Sequence, residues 1–468
     1  MRKIIVMDTK VRTREVFRTR LGFLLIAAGC AVGIGNVWRF PYIVGQYGGA
    51  YFVLLYLFFL LSVGIPLLTV ELAIGRASRS SMAYCYEKLE QPGTHWHFNK
   101  WWQFSGNYIL MAFYVVVAGW MLFYFCNFVS GNITPGMTRE TAGQNFGELL
   151  ANPETMFLCV FITVLFSFTI VALGVIKGVE RFTKPLMIVL ILLLFFMACR
   201  AFTLEGFEEG IKFYLKPDFE KFEQNIGEAI WAAMGQAFFT LSVGFGAIAI
   251  FGSYMSERHR ILNEAVFIAT FDTIIALLSG FVIFPACFTY GINPDAGPNL
   301  LFITMTVVFS NMTFGTIWGS LFFLFMLIAA VSTMIAVFES SIAGCIELFK
   351  WSRLKAVVIN FVVIIALSLL PTLGFNVLSD VHIIGSNTGI LDFFDFLVSN
   401  NILPIGSIVF VLFICSKSGM QWDRYIKQCN IGKGFKMPTA LFFYYKYILT
   451  TMVVIVLAVG YYKIFGRA

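Results

Sequence analysis

Along the chain, apolar residues run together in long unbroken stretches separated by short polar segments. Stretches of about 20 residues, the length that crosses a bilayer as a helix, lie near 21–46, 51–74, 101–130, 155–175, 183–203, 228–252, 262–290, 314–347, 354–371, 388–415 and 438–464. Their apolar residues are continuous and not alternating, which predicts helices rather than the strands of a barrel. The pattern therefore predicts an all-α polytopic membrane protein with eleven transmembrane helices.

The polar segments between these stretches carry charge on one side. Arg2, Lys3, Lys10, Arg12, Arg14, Arg18 and Arg20 precede the first stretch, and Arg76, Arg79, Lys88 and Lys100 follow the second. Later segments of that side hold Lys177, Arg181 and Lys184, then Arg258 and Arg260, then Lys350, Arg353 and Lys355, then Lys417, Arg424, Lys427, Lys433 and Lys436. The opposite segments are poor in Lys and Arg or balanced by acids, as in Glu205, Glu208, Glu209, Asp218, Glu220 and Glu223. The positive-inside rule then predicts a multi-pass protein of the plasma (inner) membrane with a cytoplasmic N-terminus, and eleven spans put the C-terminus outside. The basic start and Ala27-Ala28-Gly29-Cys30 also have the form of a lipoprotein signal, but the apolar stretch runs on past Cys30 and many more follow.

Composition narrows the class further. Of the 468 residues 59% are hydrophobic and 13% charged, with a mean hydropathy of +0.82; soluble domains carry about 25% charged residues. Water-soluble enzymes, secreted disulfide scaffolds, collagen-like fibres and disordered regulators are excluded. The net charge of +7 sits in the loops and not in a nucleic-acid arm. The nine cysteines lie mostly in apolar stretches without a C-x-x-C, and His95 and His97, flanking Trp96, cannot fill a tetrahedral zinc site. Neither a metal for catalysis nor an organic cofactor is expected.

Two spans contain helix-breaking glycines in corresponding places. The first reads Ala28-Gly29-Cys30-Ala31-Val32-Gly33-Ile34-Gly35-Asn36, the sixth Thr240-Leu241-Ser242-Val243-Gly244-Phe245-Gly246. Glycine costs a helix interior about 1 kcal/mol relative to alanine, and two at i, i+2 invite unwinding. The first opens one set of five spans and the sixth opens the next, the pattern of an inverted-repeat transporter with a midplane site, although close packing of small residues gives the same local pattern. Ionisable residues inside spans each need a partner or a function. Arg39 and Asp395 stand at similar depth with opposite charge. Asp272, in an apolar run without a basic neighbour, calls for a hard cation. Ser332 and Thr333 of the eighth span read by themselves as hydroxyls bonded to their own helix.

These residues also form a longer pattern. Arg20-Leu21-Gly22 through Asn36-Val37-Trp38-Arg39-Phe40-Pro41-Tyr42, Gly48-Gly49-Ala50, Gly64-Ile65-Pro66-Leu67-Leu68 with Glu71 and Gly75-Arg76, and Gln236-Ala237-Phe238-Phe239-Thr240-Leu241-Ser242 resemble the neurotransmitter:sodium symporter family. The resemblance runs from about Arg14 to the end of the last span, and the bacterial leucine, tyrosine and tryptophan transporters are the branch it is most similar to. It implies two inverted five-helix repeats, 20–203 and 228–415, with the first and sixth helices unwound at mid-membrane. A cytoplasmic segment 1–19, an extracellular loop 204–227, a cytoplasmic loop 416–437 and a peripheral eleventh helix within 438–468 complete the chain.

The resemblance also implies roles. One sodium ion would meet the Ala31 carbonyl, Asn36, Thr240, Asp272 and the substrate carboxylate. A second would meet the carbonyls of Gly29, Val32 and Ala329 with the hydroxyls of Ser332 and Thr333. The substrate carboxylate would meet the Ile34 and Gly35 amides and the Tyr114 hydroxyl, as a broken helix offers free N–H groups to an anion. Leu110, Tyr114, Phe239, Ser242, Phe245, Thr333 and Val337 would line the side-chain pocket. Arg39, Gln236 and Asp395 would form the outer gate, Arg14, Ser253, Tyr254, Glu339 and Glu347 the inner gate, and Glu71 would brace the unwound sixth helix.

Monoamine carriers of the family place Asp where Gly33 stands, so this chain is expected to take a neutral hydrophobic or aromatic L-amino acid as substrate partner. Asp272 replaces an Asn of many relatives, and Ala276 replaces the Ser of chloride-dependent members. Both departures predict chloride-independent transport, with Asp272 supplying the negative charge. The inner-gate Trp of the family is Phe17 here. A proton-coupled carrier of similar fold, a channel and a substrate-binding sensor are the alternatives. The channel lacks a repeated filter segment.

Overall fold

The computed structural model describes residues 19–216, 222–223, 225–291, 300–383 and 388–465. Among them there is no sheet; His259 and Lys433 form an isolated bridge. Nine helical segments among the described residues are long and apolar enough to cross a bilayer. In chain order, α1 (Arg20–Ala31) and α2 (Gly35–Gln46) are short, and α3 (Ala50–Ser78), α4 (Trp96–Val129), α5 (Pro153–Ala172) and α6 (Val175–Ala201) are long. α7 (Ile226–Thr240) and α8 (Ala247–Tyr254) are short again. α9 (Ile261–Thr289), α10 (Gly315–Phe349), α11 (Arg353–Leu373), α12 (Ile390–Cys415) and α13 (Thr439–Tyr462) follow.

Taking α1 and α2 as one bent span brings the number to ten. The predicted stretch at 228–252 lies outside that count because residues 241–246 divide it into α7 and α8. Both interruptions fall where glycine sits between apolar helix formers. α1 stops at Ala31, Val32 is extended, and α2 leaves at 57° to α1. Between α7 and α8, Ser242 (φ 52°), Gly244 (φ 110°) and Gly246 (φ 79°) take positive φ, which no α-helix accommodates. Two further distortions are π turns, Leu60–Gly64 in α3 and Val398–Ile402 in α12. Pro66 and Pro404 follow them, and the missing N–H of each proline interrupts the regular ladder.

The longest helices, α4 and α10, lie against each other at the centre. Over its most apolar stretch α10 is 83% buried, against 22% for α13, so α10 is core and α13 periphery. α8 packs on α3 at backbone contact. A Cβ on Gly75 would collide with the Ala249 carbonyl oxygen, and one on Gly252 would lie 2.5 Å from that of Leu72. Exposed Leu158, Phe166, Phe195, Val362, Phe443 and Ile455 give the bundle an apolar outer face. Several connections read as loops contain short helices: Arg139–Ala151, Phe207–Leu215, Met305–Asn311 and Trp422–Cys429. The fifth stretch starts at Val175, earlier than the predicted 183, because Gly174 (φ 97°) ends the helix before it.

Candidate substrate and ion site

The two interruptions create the site. A helix leaves its last carbonyls and first N–H groups without partners, and here side chains from other elements meet them. At the end of α1, the Ser242 hydroxyl donates to the Cys30 carbonyl (3.1 Å). The Thr333 hydroxyl of α10 lies 3.3 Å from the carbonyl oxygens of both Gly29 and Val32 and 3.4 Å from that of Ala329. Ser332 donates to Ala329 (2.8 Å). The five residues predicted for the second sodium site thus form one buried, oxygen-rich cluster between α1 and α10.

A second cluster lies between the start of α2, the end of α7 and α9. The Asp272 carboxylate, fully buried, accepts from Asn36 Nδ2 on one oxygen (2.7 Å) and from the Thr240 hydroxyl on the other (2.7 Å). Asn36 Oδ1 accepts from the Gly33 N–H (3.1 Å). Ala31, at the end of α1, belongs to the wall of the neighbouring cavity. No cation side chain supports the carboxylate: among the described residues Asp272 has no ion pair. Ser279, seven residues on and so on the same face of α9, donates to the Asn36 carbonyl (2.8 Å). That spacing was readable in the sequence but had not singled out Ser279.

Between the clusters is a small cavity. Its wall contains Ala31, Gly33, Ile34 and Gly35, then Leu110 and Tyr114 of α4, Phe239, Ser242 and Phe245, and Thr333. The Ile34 N–H donates to the Tyr114 hydroxyl (3.3 Å). A Cβ on Gly33 would lie 2.7 Å from the Tyr114 hydroxyl and 2.8 Å from that of Thr333, so the wall has no room for a side chain there. Val337 is buried one turn beyond Thr333 and is not part of this wall. Val398 and Leu403 of α12 are, although neither was expected. Their signal was Pro404 and the Asn400-Asn401 pair inside an apolar stretch, which mark the π turn that brings both inward.

Beyond Phe239 lies a second cavity of about 210 Å³, lined by Trp38, Arg39, Tyr42, Phe113, Val117 and the α12 residues Leu391, Asp392 and Asp395. Phe239, Ile34, Gly35 and Tyr114 belong to both walls. The Arg39 guanidinium stands 4.9 Å over the Phe239 ring. Arg39 and Asp395 face this cavity together without an ion pair within 4.0 Å between them, and Asp395 accepts from Ser399 (2.9 Å). Gln236 is fully buried and donates to the Gly35 carbonyl (3.1 Å), tying α7 to α2. Glu71 accepts from the Gly244 N–H inside the second interruption.

The residues expected at the inner gate divide into separate groups. Tyr254 donates to Glu339 (3.1 Å), which also pairs with Arg353 (2.5 Å), a residue read from sequence only as a loop charge. Arg353 further donates to the Val171 carbonyl (2.6 Å). Glu347 accepts from the Ser81 N–H and hydroxyl (3.0 and 2.7 Å), and Ser253 bonds its own helix at Ile250 (2.5 Å). Arg14 and Phe17 lie outside the described residues.

Membrane-length apolar helices packed about a cavity with two buried oxygen clusters beside it give the architecture a membrane carrier requires. A profile of the sodium:neurotransmitter symporter family matches residues 14–145 and 140–465. The chain belongs to this family, and it is a transporter and not an enzyme. It is 35% identical to an uncharacterised sodium-dependent transporter of Haemophilus influenzae, over 96% of this chain and 99% of that one. It is 32% identical to the uncharacterised sodium-dependent transporter YhdH of Bacillus subtilis, over 96% and 97%. Among solved structures it is similar to MhsT in complex with L-phenylalanine, at 36% identity and a TM-score of 0.85, covering 96% of this chain and all of that one.

Proposed function

We propose that the protein couples the uptake of a neutral hydrophobic or aromatic L-amino acid to sodium by alternating access. The observation that carries this reading is the first cavity. One side offers the backbone at Gly33–Gly35 with the hydroxyls of Tyr114, Ser242 and Thr333, and the rest of the wall is Ala31, Leu110, Phe239, Phe245, Val398 and Leu403. The polar side is chemically matched to a carboxylate and ammonium and the apolar side to an uncharged side chain; at about 20 Å³ the cavity is closed down, so its wall must open to admit either. The crowding at Gly33 disfavours a biogenic amine, which needs a carboxylate partner there. MhsT, similar in fold, holds L-phenylalanine.

Two sodium ions are assigned, one to Ala31, Asn36, Thr240 and Asp272, the other to Gly29, Val32, Ala329, Ser332 and Thr333. Clusters of carbonyl, hydroxyl and carboxylate oxygen suit a hard cation, and the burial of an Asp272 without a cationic partner supports the first. Asp272 supplies the charge that makes transport independent of chloride. Eleven spans follow if α1 with α2 and α7 with α8 each cross once, in two inverted repeats at 20–203 and 228–415. In this topology the N-terminus is cytoplasmic and the C-terminus external. Phe239 is the lid beneath an outer gate of Arg39, Gln236 and Asp395. The inner gate comprises Arg14, Ser253, Tyr254, Glu339 and Glu347, and Glu71 braces the break. Uptake of labelled leucine, tyrosine and tryptophan into proteoliposomes tests the reading. Accumulation is expected with external sodium and with gluconate in place of chloride; equal uptake with potassium in place of sodium refutes sodium coupling, and loss in gluconate refutes chloride independence.

A further inference from the structure

A groove at the basic end of the bundle belongs to none of the machinery above. It runs between the end of α12 and the start of α13 and has a volume of about 780 Å³. Its floor is apolar, formed by Leu412, Cys415, Trp422 and Phe442, and its rim carries Lys417, Lys446 and Asp423. Trp422 donates its indole N–H to the Thr439 carbonyl (3.1 Å) and packs on Phe442 (5.5 Å between ring centres). Trp96, on the opposite wall, donates to the Ser418 hydroxyl (3.1 Å) and packs edge-on against Phe413 (5.5 Å). Both indoles are therefore held in place.

Lys446 is the unusual residue. It lies within a membrane-spanning segment, half-buried, with its ammonium 5.5 Å from the Phe442 ring centre and 5.2 Å from that of Tyr447. Among the described residues it has no ion pair. Segment 416–437, which borders the groove, carries Lys417, Arg424, Lys427, Lys433 and Lys436 against the single acid Asp423. Leu412 of the groove is exposed, as are Phe443, Tyr447 and Ile448, which flank the groove residues Phe442 and Lys446 along α13. A cation and an aromatic pair at the edge of the apolar belt, above an apolar floor open to lipid, match a phosphate above an acyl chain.

We propose that this groove binds an anionic phospholipid of the adjoining leaflet, its phosphate between Lys446 and Lys417 and one acyl chain along Leu412 and Phe442. The paired ammoniums of Lys446 and Lys417 select an anionic over a zwitterionic headgroup. The apolar floor selects a lipid over a soluble phosphate. Because α12 also supplies Val398, Leu403 and Asp395 to the two cavities at its other end, an occupant here contacts the helix that walls the transport site.

The test is native mass spectrometry of purified protein equilibrated with mixed vesicles of phosphatidylcholine and phosphatidylglycerol. The wild type is expected to retain phosphatidylglycerol preferentially. Each lysine near a lipid surface contributes about fivefold, so Lys446→Gln and Lys417→Gln each lower the preference by about that factor and the double variant removes it. Lys446→Arg keeps it, as does Lys433→Gln outside the groove. Thermal melting in detergent identifies any variant that fails to fold, and the arginine variant and Lys417→Gln carry the test if Lys446→Gln does so. Equal retention of the two lipids by the wild type, or an unchanged preference in a folded double variant, overturns the proposal. Displacement of the lipid by millimolar inorganic phosphate overturns its assignment to a lipid.

Discussion

At position 33 a side chain has no space: its first carbon would meet two hydroxyls inside 3 Å. Gly33→Asp is therefore expected to reduce amino-acid uptake more than tenfold, with melting of the purified variant showing whether the fold survives. A variant that folds and instead gains amine transport would show that the wall yields. Asp272→Asn keeps the shape and removes the charge from a carboxylate held by Asn36 and Thr240. Charge-assisted contacts are about twice as strong as neutral ones, so the sodium concentration for half-maximal substrate binding should rise at least about tenfold. An unchanged sodium titration would remove Asp272 from the ion site. Asp272 was legible in the sequence because an unpaired carboxylate in an apolar run has few explanations. Ser279 and Val398 were less so: their pointers are indirect, the seven-residue spacing from Asp272 for one and the neighbouring Asn400-Asn401 and Pro404 for the other, and neither a hydroxyl nor an aliphatic residue stands out in a span by itself.

Between elements, the contact with the clearest energetic consequence is Glu339 of α10 with Arg353 at the start of α11. The Glu339 side chain is fully buried, whereas that of Arg353 remains 27% exposed. Removing the cation leaves a buried carboxylate with Tyr254 as its one donor among the described residues, and breaking a buried pair costs about 3–5 kcal/mol. Arg353→Gln is expected near the lower end of that range because of the partial exposure, read as a fall in melting temperature. Glu339→Gln with Arg353→Gln should recover part of it; equal melting of the single and double variants would deny the coupling. Sequence reading reached the helices through apolar continuity and the two breaks through glycine spacing. It missed this pair because Arg353 sits among Lys350 and Lys355, where a basic residue reads as a topology marker. It also missed the π turn of α12, since periodicity alone does not separate a widened turn from a regular one.

For the whole molecule, the proposed two-sodium cycle has a thermodynamic signature. Two ions moved through 100 mV and down a tenfold gradient provide about 7 kcal/mol, enough for accumulation near 10⁵-fold. With a zwitterionic substrate and no chloride each cycle moves net charge, so an imposed inside-negative potential should raise the steady-state ratio. A ratio indifferent to potential would require a compensating ion. The glycine contact between α3 and α8 bears on how such a cycle moves parts. At Gly75 and Gly252 the two backbones touch with no side chain between them, so neither helix slides without the other. Under the proposed alternating access the two act as one lever, with Ser242–Gly246 as its joint. A cross-link stapling α3 to α8 is then expected to leave turnover unchanged, while one stapling α8 to α4 stops the machine at whichever stroke it was caught in.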